Sequence, residues 1–119
     1  MSRFVKTSTS KYGNNKVVFE GIEFDSRAEA RRYAQLLILK KAGIIADLKL
    51  QVTYELIPTQ VIDGKTARGV KYIADFEYYD LEKQIKVTED VKGHRTKDYI
   101  IKRKLMKYIH NIDVREVKS

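Results

Sequence analysis

The sequence predicts an α/β fold of the α+β kind, with a mixed sheet and the order helix, three strands, helix, strand. Three observations predict it. Residues 26–42 and 97–110 repeat apolar positions at helical spacing behind a capping residue. Leu48, Leu50, Val52, Tyr54 and Leu56 alternate with polar residues at a strict period of two, the pattern of a strand with one buried face. Two further strand-like runs, Val70 to Tyr79 and Ile85 to Lys92, are separated by a link short enough for a hairpin.

The elements follow in order. Residues 1–15 are basic and rich in Ser, Thr, Gly and Asn, and predict a flexible arm ahead of a single domain over 16–119. Val17–Phe19 and Ile22–Phe24, parted by Glu20-Gly21, read as a short hairpin or an extended lead-in. Asp25 or Ser26 then caps the first helix. Ser26-Arg27-Ala28-Glu29 has capping-box spacing, and Gly43 is a natural stop. Ala30, Tyr33, Ala34, Leu37 and Ile38 are its expected inner face. Pro58, the only proline, ends the alternating strand, and a loop through Asp63-Gly64 leads to the next. Thr96 caps the second helix, with Ile101, Leu105, Tyr108 and Ile109 expected inward and Lys102, Arg103, Lys104 and Lys107 outward. Residues 112–117 alternate again and make the last strand.

Composition narrows the function classes. The 119 residues hold 43% hydrophobic and 34% charged residues, the balance of a folded domain rather than a disordered chain. The longest apolar run, Leu36 to Leu39, is far below the ~20 residues of a spanning helix. The first residues lack the apolar stretch of a signal peptide, so the expected location is the cytoplasm. With no cysteine, disulfides, thiolate-bound zinc and thiol catalysis are excluded, and His94 and His110 are too few for a multi-histidine centre. The net charge of +8 is unevenly placed. Residues 1–16 carry four bases and no acid, 91–119 nine bases against three acids, and 17–90 eleven bases against thirteen acids. Basic ends around an acidic centre suit a polyanion held beside a cation.

Two segments carry the chemistry: Tyr72-Ile73-Ala74-Asp75-Phe76 and Thr88-Glu89-Asp90-Val91-Lys92. Residues two apart on a strand share a face, so Asp90 and Lys92 point the same way and Glu89 points away. A two-residue turn at Glu82-Lys83 would set Asp75 directly opposite Asp90, Cβ atoms ~5 Å apart. Two carboxylates so placed repel unless a hard divalent cation lies between them, and oxygen donors are what magnesium takes. Lys92 would then orient a water or offset phosphate charge. Glu29, in the first helical turn, could reach the same point, although the capping box alone accounts for a glutamate there. Asp90 and Lys92 could equally form a plain ion pair, and a one-residue register shift would put Glu89 in place of Asp90.

These residues resemble the pattern of the PD-(D/E)XK nuclease superfamily: a helix acid, a strand Asp and a (D/E)-x-K on the next strand, here Glu29, Asp75 and Asp90-Val91-Lys92. Together with Phe24 to Tyr33 and Gly93, they are similar to a family of small phage-encoded proteins defined only as a domain of unknown function. That family is itself similar to Holliday-junction resolvases and to endonuclease subunits of certain transposases. The resemblance covers about residues 11–117 and departs at Ala74, where the pattern has Pro.

What the resemblance implies is a restriction-endonuclease-like α-β-β-β-α-β core and a DNA endonuclease dependent on Mg2+ or Mn2+. Glu29, Asp75, Asp90 and Lys92 would be catalytic. Asp75, Asp90, the Val91 carbonyl and Glu29 would hold the metal. The substrate is expected to be DNA, branched or duplex, cut by a homodimer with no membrane association. Beside the site, His94, Arg95, Lys97, Lys102, Arg103 and Gln51 are the expected DNA contacts. Two alternatives stand: a binding protein that keeps the fold without catalysis, and an RNA-binding or structural phage protein using only its basic ends.

Overall fold

The structure, a computed structural model, describes the backbone of residues 5–9 and 15–119, with side chains from Lys16 onward. Two polar caps start its two helices. The Ser26 hydroxyl accepts the Glu29 N–H at 3.1 Å and opens α1, Arg27–Lys41. The Thr96 hydroxyl accepts the Tyr99 N–H at 3.1 Å and opens α2, Lys97–His110. α1 closes through Gly43 at φ 75, with Ile44 N–H returning to the Leu39 carbonyl and Gly43 N–H to Lys40. This is a Schellman ending, which a side chain at Gly43 would strain.

Strands β1 (Val5–Thr9), β2 (Asn15–Phe19) and β3 (Ile22–Phe24) form one antiparallel sheet. Part of the expected arm is thus paired to β2, while residues 1–4 and 10–14 of it lie outside the described residues. The Glu20-Gly21 turn joining β2 to β3 has φ 53 and φ 76, the two left-handed residues of a type I′ hairpin. The main sheet contains β4 (Ile45–Ile57), β7 (Val70–Asp80), β8 (Ile85–Lys92) and β9 (Arg115–Lys118), side by side in that order. β4–β7 and β7–β8 are antiparallel, and β8–β9 is parallel, reached through α2. The core therefore runs α-β-β-β-α-β on a mixed sheet, as expected. Between β4 and β7 stands an addition, the hairpin of β5 (Gln60–Ile62) and β6 (Lys65–Ala67). The expected loop is thus a hairpin, in which Asp63 and Gly64, at φ 51 and φ 74, again make a type I′ turn.

The helices cover opposite faces of the sheet. Along β8, Val87 and Val91 pack in the α1 core and Glu89 meets Arg32 of α1, whereas Asp90 and Lys92 meet Tyr72 and Tyr99 on the α2 side. Tyr33, Leu36, Phe76, Tyr78 and Val87 centre the α1 core; Leu56, Tyr72, Ala74, Tyr99, Met106 and Val114 form the α2 core. Leu36, Phe76 and Met106 are wholly buried, each worth about 1.5–3 kcal/mol relative to exposure.

The inner face of α1 is the expected one at Ala30, Tyr33, Ala34 and Leu37 and departs at Ile38, whereas α2 is turned from its expected orientation. On α1, Leu36 is buried and Ile38 is 68% exposed. On α2, Ile101, Tyr108 and Ile109 are exposed, and Tyr99 and Met106 are buried. The inner stripe of α2 is Tyr99, Lys102, Arg103 and Met106, at i, i+3, i+4 and i+7. Lys102 and Arg103 are half-buried, as long side chains with apolar stems can be on an inner stripe. A stripe containing two cations does not read as apolar, which is why another face was expected inward.

Candidate active site

The site begins with a break in strand alternation. Leu48 and Leu50 pack against the α1 core, yet Tyr54 and Leu56 pack against the α2 core, on the other face. All four are even-numbered, so a regular strand would keep them together. The switch coincides with Gln51, whose φ is 52. β7 switches at the same level: Tyr72 and Ala74 belong to the α2 core, Phe76 and Tyr78 to the α1 core, with Asp75 between. The strands pair Leu50 with Phe76 and Val52 with Ala74, and Gln51 and Asp75 fall at the step between. The expectation that Leu48 to Leu56 bury one face is therefore corrected to two half-strands serving two cores.

The β7–β8 ladder stops at this same level. Its pairs run from Asp80–Ile85 to Phe76–Glu89, the register expected from a turn centred on Glu82-Lys83. The turn itself spans four residues, 81–84, and Asp80 Oδ1 accepts the N–H groups of Glu82 and Lys83 at 3.1 and 3.0 Å. The next pair would be Asp75–Asp90, and it does not form. Side chains take over instead. Val91 N–H donates to Asp75 Oδ2 at 2.8 Å, and Asp75 N–H donates to Asp90 Oδ1 at 3.3 Å. The two carboxylates thus occupy backbone groups that sheet pairing leaves free, just where the sheet opens.

Around them gather the other expected residues. Asp90 is 2% exposed. Its Oδ2 accepts the Tyr72 hydroxyl and lies 3.4 Å from Lys92 Nζ. Lys92 Nζ also stands 4.4 Å above the centre of the Tyr99 ring, which favours a cation there. Glu29, 6% exposed, does not close the capping box with its side chain. It reaches across to Gln51, whose Nε2 donates to Glu29 Oε1 at 3.0 Å. Capping and site roles are thus divided between the backbone and the side chain of one residue.

The electrostatics follow from this crowding. Burial, then the charges of Asp25 and Asp90, push the Glu29 carboxyl up to about 7, against the pull of Lys92. Burial, then the hydrogen bond and charge of Asp90, hold Asp75 well above the usual carboxylate range, opposed by the Val91 N–H. Among the described residues, no group of three or more His, Asp or Glu side chains is arranged to hold a metal ion as it stands. The donor chemistry nevertheless fits magnesium, which takes one or two carboxylates and keeps several waters. Asp75 and Asp90 are two carboxylates held together against their own repulsion.

Glu89 has a different role. It is fully buried on the α1 side, where Arg32 grips it with two hydrogen bonds of 2.8 and 2.7 Å and the Tyr78 hydroxyl donates a third. Of the expected DNA contacts, Arg95 and Arg103 both bind Glu116 Oε1, and Arg103 also donates to the Val114 carbonyl at 3.1 Å. Arg103 thus ties α2, and Arg95 the link ahead of α2, to β9. His94 and Lys97 are exposed, and Lys102 lines a cleft of about 280 Å³ that opens onto Asp90 and Lys92. Tyr72 and Tyr99, the partners of Asp90 and Lys92, are not among the site residues expected from the sequence. The signal was the position of Tyr72, three residues ahead of Asp75.

Among the described residues, no helix is long and apolar enough to cross a membrane. A family model, described as a protein of unknown function (DUF1064), matches residues 9–119. No curated protein and no solved structure matches the chain.

Proposed function

We propose a function from one premise: the chain belongs to DUF1064, a family of unknown function. Its reading is a metal-dependent DNA endonuclease of the PD-(D/E)XK kind, phage-encoded and cytoplasmic, acting on duplex or branched DNA. One observation carries it: Asp75 and Asp90 are interlocked at the opening of the sheet, with Lys92 against Asp90.

Asp75 and Asp90 would hold Mg2+ or Mn2+, with the Val91 carbonyl and Glu29 beside them. A divalent ion so held supplies Lewis acidity toward a phosphate oxygen and makes water nucleophilic at neutral pH. Lys92 orients the attacking water and offsets the charge that builds on the phosphate. Glu29, with its carboxyl near 7, takes the proton that water releases as its oxygen bonds to phosphorus and the bond to the leaving sugar oxygen breaks. Gln51 keeps Glu29 aimed at the site, and Tyr72 keeps Asp90 there. Resolving a junction needs two cuts, so the reading includes a homodimer.

The test is incubation with a four-way junction, a duplex and a single strand, with and without Mg2+. Mg2+-dependent cleavage that Asp75→Ala abolishes while binding persists supports the enzyme. Binding without cleavage by the wild type supports the non-catalytic module instead. Equal affinity for RNA and branched DNA across salt supports a protein that reads only backbone charge.

A further inference from the structure

The cleft at Asp90 and Lys92 does not end there. It meets a second, of about 440 Å³, which reaches Ile57, Gly69 and Val70 at the foot of the β5–β6 hairpin. The two clefts share Lys71, Asp98 and Lys102. One open groove therefore leads from the carboxylates, between β7 and α2, to the hairpin.

Its charge is positive on balance, Lys71, Lys92 and Lys102 against Asp90 and Asp98. Arg95, Arg103, Lys107, Lys86 and Lys49 are all engaged by carboxylates. Among the described residues Lys71 and Lys102 form no ion pair within 4.0 Å, although Glu55 of β4 stands opposite Lys71 and Asp98 lies in the same groove. Lys71 of β7 and Lys102 of α2 both border the groove. Lys65 and Arg68 continue the basic line on and after β6.

We propose that this groove carries the sugar–phosphate backbone of the scissile strand away from the catalytic carboxylates, with Lys71 and Lys102 as its phosphate clamps. The proposal rests on the nuclease reading for its direction. Its binding step can be tested apart from cleavage. Backbone contacts of this kind release condensed counterions, so affinity falls as salt rises, by about 0.7 in log–log slope per phosphate contacted for single strands and 0.9 for duplex.

The experiment is fluorescence anisotropy of a labelled 20-nucleotide DNA, single-stranded and as duplex, in EDTA and across a salt series. Lys71→Glu/Lys102→Glu is compared with Lys40→Glu/Lys41→Glu. The second pair removes the same net charge from the end of α1 remote from Glu29, about 16 Å along the helix. The groove pair is expected to weaken binding more than tenfold and flatten the slope by about 1.4 to 1.8, while the control pair changes affinity less than threefold. Equal losses in the two pairs overturn the groove. If urea denaturation shows the Glu pair unfolded, Lys71→Gln/Lys102→Gln replaces it, with a loss of at least threefold expected and an unchanged affinity overturning the proposal. Wild type that binds through these lysines but never cuts with Mg2+ refutes the nuclease reading and leaves the groove standing. Wild type that cuts, with the groove pair binding like the control, refutes the groove alone.

Discussion

Replacing Arg32 with Ala separates the structural carboxylate from the catalytic ones. Glu89 is 0% exposed and takes two charge-assisted hydrogen bonds from Arg32 at 2.8 and 2.7 Å. Without the guanidinium, Glu89 keeps only the Tyr78 hydroxyl, amid Phe76 and Val87. Removing one partner of a buried pair costs about 3–5 kcal/mol, a large share of the ~5–15 kcal/mol that holds a domain together. Glu89→Gln should cost less, about 1.5–3 kcal/mol, because the Arg32 side chain is 19% exposed and can turn to water. Arg32→Met/Glu89→Leu removes both charges and should recover most of the loss. Urea denaturation followed by circular dichroism reads all three, with the slope unchanged if only stability moves. A cost below 1 kcal/mol for Arg32→Ala would refute the buried pair. Glu89→Gln that stays fully stable but loses cleavage would make Glu89, not Asp90, the strand carboxylate.

Other expectations follow from the same geometry. The Glu29 carboxyl rises from 4.5 to about 7 on folding, and Asp75 moves in the same direction. The metal-free native state therefore binds more protons than the unfolded chain. Its stability should be greatest below about pH 4.5 as far as these groups act, and should fall as pH rises through 7, by about 3 kcal/mol for Glu29 alone. Melting curves in EDTA across pH should show this fall, and Mg2+ at pH 8 should reverse it; a flat profile would count against the crowded carboxylates. Tyr72→Phe removes the hydroxyl that holds Asp90. It should weaken Mg2+ binding about tenfold by calorimetry and cost about 1.5–3 kcal/mol of stability; unchanged Mg2+ affinity would deny Tyr72 a positioning role. Gly69→Ala would set a Cβ 2.5 Å from the Ile57 carbonyl oxygen and 3.0 Å from the Thr59 N. It should lower stability by about 1–3 kcal/mol, and an unchanged urea midpoint would show that the backbone at Ile57 and Thr59 does not press on Gly69.

Much of the fold was legible because short polar signals mark element ends. Ser26 and Thr96 cap the two helices as expected, and β8 and α2 span the residues that periodicity and capping indicated. The β7–β8 register follows from the centre of its turn, which a four-residue link shares with the two-residue one expected. What stayed hidden depends on tertiary context. Leu50 and Tyr54 look equivalent in a list of alternating residues, yet the two halves of β4 on either side of the left-handed Gln51 serve different cores. Ile101 and Ile109 look like core residues and are exposed, because Lys102 and Arg103 lie along the inner stripe of α2. The site was half legible. Spacing brought Asp90 and Lys92 to one face and kept Glu89 on the other. That Asp75 and Asp90 bind each other's strands, rather than merely facing across a ladder, depends on the ladder ending, which no residue type announces.

The central claim concerns where a divalent cation sits. A crystal soaked in Mn2+ and measured at the manganese absorption edge tests it directly. The account predicts one anomalous peak in contact with Asp75 and Asp90, with Lys92 and Glu29 nearby, and its loss in Asp75→Ala. A wild-type crystal with those side chains apart, or with its manganese bound only elsewhere, would contradict the account.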